Sequence, residues 1–98
     1  MKRLKRYVTE IKQSLSGTTS QDRFNIILVC RDAICYIVRN SEKPGYLDLR
    51  KSFEDMEVLA ENAASEGQHK KMDVTHSRAE KMKTIVSALE KYFASKGI

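Results

Sequence analysis

FNIILVCRDAICYIVRN, residues 24–40, decides the fold class of this 98-residue chain, because its apolar run is broken at the middle by Arg31 and Asp32. As two strands it would need a hairpin turn at those two residues, and neither is the Gly or Asn that a two-residue turn demands. Neither IILVC nor AICYIV alternates apolar with polar, as a half-buried strand does. Turned through 100° per residue, the same stretch sorts itself. Asn25, Asp32 and Arg39 stack into one polar seam, while Ile26, Ile27, Cys30, Ala33, Ile34, Ile37 and Val38 cover the far side. The pattern predicts a helix over about residues 21–40, apolar over most of its circumference. Such a helix must be covered on most sides and belongs at the centre of a bundle.

The flanking sequence supplies three more helices. Leu4, Val8, Ile11 and Leu15 recur at helical spacing over Lys2 to Leu15, with Lys2, Arg3, Lys5, Arg6 and Lys12 on the other sides and Gly17 as the stop. Thr19 with Asp22 three residues on has the form of a capping box for the apolar helix. NSEKPG, residues 40–45, is a turn. A third helix follows from Asp48 or Ser52 to Ser65, with Leu49, Phe53, Met56, Ala60 and Ala63 as its seam. Ser77 and Glu80 form a second capping box, placing the start of the last helix at Ser77. Met82, Ile85, Val86, Leu89, Tyr92 and Phe93 give that helix a broad apolar face. Whether residues 68–76 are helix or loop is left open by the pattern. The expected architecture is an all-α, small antiparallel bundle of about four helices with a central apolar helix, as one helical domain over residues 1–98.

Charge narrows the function classes. Eighteen Lys and Arg against thirteen Asp and Glu give +5, unevenly placed: residues 52–66 hold five acids and no base, while both ends of the chain are basic. The excess favours acidic partners. Two cysteines inside the apolar stretch, at a spacing that is neither a redox nor a zinc pair, read as core thiols in a reducing cytoplasm. The basic start lacks the apolar segment of an export signal, and no stretch reads as a membrane span.

Motifs for catalysis are missing: there is no phosphate loop, nucleophile elbow or dinucleotide fingerprint. His69, Asp73, His76 and Glu80 would share one face of a continuous helix, but a break at Ser77 and the lack of an enclosing second shell argue against a metal site there. No cofactor is implied. The sequence therefore points to a non-enzymatic helical interaction module or regulatory subunit that docks on a larger protein or nucleoprotein assembly. The alternative is non-sequence-specific nucleic-acid binding. Partner or phosphate contacts fall to Lys2, Arg3, Lys5 and Arg6 beside Tyr7, with Lys70, Lys71, Arg78, Lys81 and Lys83. The seam Asn25, Asp32, Arg39 is either a solvent-facing edge or a strip facing a partner. Three shorter helices cannot fully cover a long apolar one, so a homodimer or hetero-complex is expected.

Overall fold

A computed structural model describes residues 1–17, 19–66 and 72–98, the side chains of residues 20, 63–66 and 72–77 excepted. Four helices follow in order: α1 (Lys2–Leu15), α2 (Ser20–Arg39), α3 (Tyr46–Glu66) and α4 (Met72–Ser95). The opening stretch is one helix, and there is no strand among the described residues.

Local chemistry sets the boundaries. α1 closes where the Ser16 and Gly17 amides turn back to the carbonyls of Gln13 and Ser14. At the start of α2 the Thr19 hydroxyl accepts from the Asp22 amide at 3.2 Å, and the Asp22 carboxylate accepts from the Thr19 amide at 3.0 Å. This is the reciprocal box expected from the sequence, and it satisfies two otherwise orphaned donors. The Thr19 hydroxyl also donates to Asp22, and these bonds hold the Asp22 carboxyl below its ordinary range. After α2, Gly45 takes φ of +84°, a conformation few other residues adopt, and a Cβ there would press on Met1 and the Tyr92 hydroxyl at 2.9 Å. That turn releases the chain directly into α3 at Tyr46, earlier than the Asp48 or Ser52 expected.

The start of α4 is likewise corrected, since the helix begins at Met72 and runs through Ser77 without a break. No Gly or Pro lies between Met72 and Ser95. An interior Ser costs a helix only a few tenths of a kcal/mol, so a capping-box pattern alone cannot start one where the backbone is already helical.

Neighbouring helices run antiparallel, as the cross-helix contacts show. Lys5 Nζ reaches the Ile98 carbonyl while Lys12 reaches Glu90, so α1 ascends as α4 descends. Tyr36 meets Tyr46 while Arg31 meets Glu57, giving α2 and α3 the same relation. Each helix packs on two neighbours in the ring α1–α2–α3–α4, and among the described residues the diagonal pairs do not approach. Among the described residues the core is shared evenly: four buried side chains come from α1, five each from α2 and α3, and four from α4. Phe53, Phe93, Leu4, Ile11, Ile26 and Ile37 are fully enclosed. A ring of amphipathic helices around one shared core is the packing of a four-helix bundle.

α2 lies between α1 and α3, but its cover is partial. Ile26, Ile27, Cys30, Ala33 and Ile37 face the core, whereas Phe24, Leu28 and Val38 stand exposed. Two sequence expectations are thereby corrected. Val38 is not on the buried side, and Cys35 is not a core thiol. Helical geometry gives the reason, for Cys30 and Cys35 point about 140° apart and cannot share one face.

Candidate protein-docking surface

Among the described residues the exposed large apolar side chains are Phe24, Leu28 and Val38 on α2 with Leu47 and Val58 on α3, each between 41% and 54% exposed. None belongs to α1 or α4. On α2 they extend into the series Phe24, Leu28, Arg31, Cys35, Val38, spaced four, three, four and three, so that all five share one outward stripe. Leu47 and Val58, eleven apart, share a stripe on α3 in the same way. The antiparallel register brings Val38 level with Leu47 and Leu28 level with Val58. Scattered apolar residues on a surface are ordinary, but collection on one two-helix face is the pattern of an interaction site.

Ion pairs cross this face. Arg31 Nη2 donates to Glu61 at 3.0 Å and Arg31 Nε to Glu57 at 3.3 Å, which secures the guanidinium in its charged form. Further along α3, Arg50 pairs with Glu54 and Lys51 with Asp55. Beneath the face, Cys30 is sealed in the core. Burial above all, with the Glu57 carboxylate second, pushes its thiol up to about 12. It is neither a nucleophile nor a ligand in that state.

The basic residues singled out by the sequence form two groups. Lys2, Arg3, Lys5 and Arg6 stand exposed on the first two turns of α1. Three of them have partners: Arg3 Nε donates to the Tyr7 hydroxyl at 2.9 Å, Lys5 to the Ile98 carbonyl, and Arg6 pairs with Glu10. Tyr7, beside which the basic cluster lies in the sequence, is buried; its ring meets Tyr36 edge-on at 6.3 Å, and the Arg3 guanidinium covers Tyr36 at 5.0 Å. On α4, Lys81 and Lys83 are exposed, Arg78 is half-buried, and Lys83 pairs with Glu80. Ile98 lies beside Lys5, and fifteen residues of nearly continuous helix separate it from Lys83, about 22 Å along the axis. Between the two groups, Glu90 takes up Lys12 at 3.2 Å. Among the described residues, the α1 group and the Lys81–Lys83 group lie towards opposite ends of the bundle. Lys70 and Lys71 lie outside the described residues.

The seam Asn25, Asp32, Arg39 is a solvent-facing edge beside the apolar stripe, with Asp32 and Arg39 exposed and Asn25 accepting from Gln21 at 3.0 Å. His69, Asp73 and His76 fall outside what is described of side chains. No acid, thiol or imidazole cluster able to hold a metal occurs among the described residues. An open depression of about 240 Å³ between α1 and α4 is lined by Lys5, Val8, Thr9, Glu90, Ala94 and Ile98. Its two charged groups already have partners in Ile98 and Lys12, which leaves no convergent pair for acid–base work.

Among the described residues no helix is long and apolar enough to cross a membrane. Comparison with known proteins returns no match: no family model, curated protein or solved structure is significantly similar to the chain.

Proposed function

We propose that the chain is a non-enzymatic interaction module that docks on a larger protein or nucleoprotein assembly of the reducing cytoplasm, with the outer face of α2 and α3 as its protein contact. The observation that carries this reading is the segregation of Phe24, Leu28, Val38, Leu47 and Val58 onto that one face. Fully burying one such side chain is worth roughly 1.5–3 kcal/mol, so even partial cover of five supplies a driving force for association. The exposed first turns of α1 add a basic end that steers encounter with acidic surfaces.

The same basic end supports a second reading, in which Lys2, Lys5 and Arg6 hold phosphates without regard to base sequence. The separation of the α1 group from Lys81 and Lys83 weakens it, because a phosphate track gains affinity by adding contiguous contacts. Affinity capture from the host at low and high salt separates the two readings. The double variant L28D/V58D should lose partners retained at high salt, while K2E/R6E should lose only salt-sensitive capture. Unchanged capture by L28D/V58D, with all binding lost in K2E/R6E, overturns the first reading in favour of the second.

A further inference from the structure

We propose, resting on the reading of the α2–α3 face as a protein contact, that its occupant is a second copy of this chain. The two copies are related by a twofold axis parallel to the helices, so that α2 of each lies against α3 of the other.

Charge sets the axis that relates the two copies. α3 carries six acidic and two basic residues, a formal −4, whereas α2 carries three basic and two acidic, a formal +1. A twofold perpendicular to the helices would stack α3 on α3, acid against acid. A twofold parallel to them sets each α2, formally basic, on the other copy's acidic α3, so that unlike signs are nearest neighbours at both helix contacts. The match of chemistry is already present within one chain, where Arg31 of α2 reaches Glu57 and Glu61 of α3. The Arg31 side chain stays 57% exposed and is free to bridge further.

Register agrees. Such an axis leaves every residue at its own level along the bundle, so Leu28 of one copy meets Val58 of the other and Val38 meets Leu47. The four-three spacing of the α2 stripe suits packing against a facing helix. Two helices of about 30 Å, lying side by side at about 10 Å, offer about 600 Å² per copy. The total of about 1,200 Å² is at the lower bound of specific interfaces, which makes the dimer concentration-dependent. Both α1 helices remain on the outer sides, leaving their basic turns open to an acidic component of the larger assembly.

Sedimentation equilibrium of the full chain over a wide concentration range tests the proposal, using wild type, L28E, V58R and an equal mixture of the two variants. The axis makes the mixture decisive. In a mixed dimer the new acid faces the new base at one contact, and the native Val58–Leu28 contact is retained at the other. Wild type should dimerise, each variant alone should weaken the dimer by at least about tenfold, and the mixture should recover most of the loss. Circular dichroism of each variant confirms that the helices are intact. A wild type that stays monomeric, variants that dimerise as well as wild type, or a mixture that fails to recover would each overturn the proposal. Should the wild type be monomeric while capture from the host still depends on Leu28 and Val58, the interaction-module reading stands and the second copy is excluded.

Discussion

Arg31 of α2 donates to Glu61 of α3 at 3.0 Å, and the same guanidinium reaches Glu57 one turn earlier. One arginine thus holds two carboxylates of the facing helix in the middle of an apolar stripe. Because the group is well exposed, the pair is screened by salt and adds more to register than to stability. In R31A, helix content should match wild type, and the small difference in urea midpoint between the two should shrink as ionic strength rises. A large difference that persists at high salt would mean that Arg31 acts through packing.

The turn into α2 rests on Thr19 and Asp22, and T19A should cost about 1 kcal/mol in urea denaturation, the usual loss for a removed N-cap. G17A should be destabilising for the same reason, since a Cβ on Gly17 would collide with the Asp22 carboxylate and displace it from the box. The G17A penalty should therefore shrink in a D22A background. Acid dependence follows from the lowered Asp22 carboxyl. Its contribution is complete above the unfolded-state carboxyl value and is lost as pH falls through the lower folded one. D22N should flatten that acid limb.

The two thiols should differ sharply. Cys35 is exposed and Cys30 is fully enclosed, so a thiol reagent at mildly basic pH should titrate one group per native chain and two after denaturation. Because the Cys30 thiol is raised from 9.0 to about 12, the unfolded chain ionises first. The stability it contributes is whole below pH 9 and declines as pH rises towards 12. C30A should remove this part of the alkaline limb.

Core and face should respond oppositely to truncation. Phe53 is fully buried, and F53A should cost about 3–5 kcal/mol. Phe24 stands half-exposed on the outer stripe, and F24A should change monomer stability by less than about 0.5 kcal/mol while weakening association. Equal losses in the two variants would show that Phe24 belongs to the core.

The helices and most of the core were legible in the sequence, because apolar spacing reports directly on which face a helix buries. Leu4, Val8 and Ile11, Leu49, Phe53, Met56 and Ala60, and Met82, Val86, Leu89 and Phe93 are buried as their spacing requires. The Thr19–Asp22 box was legible for the same local reason. What was not legible depends on the arrangement of neighbours. Apolar content alone could not tell that Val38 and Cys35 face outward, since α2 has one neighbour on each side and not three. Tyr7 and Tyr46 join the core because four chain segments converge at one end of the bundle, which places Tyr36 and Tyr46 rings 6.0 Å apart. The apolar face was missed in detail although its signal was present: the series 24, 28, 31, 35, 38 is a heptad stripe, hidden within a helix that is apolar on its other side as well. The separation of Lys5 from Lys83 was not legible either, because a linear chain does not show the length of helix that lies between them in the bundle.

Cys35 lies within the proposed contact and is a natural reporter for it. The alkylation rate of native Cys35, followed by mass spectrometry as protein concentration is raised, tests the claim that the α2–α3 face is covered by a second copy. Cys30 serves as the unreactive internal control. The rate should fall at least several-fold as the dimer forms, whereas a reporter placed on α4 in C35S/A88C should react at a constant rate. A Cys35 rate independent of concentration, or one that falls no more than that of the α4 reporter, would contradict it.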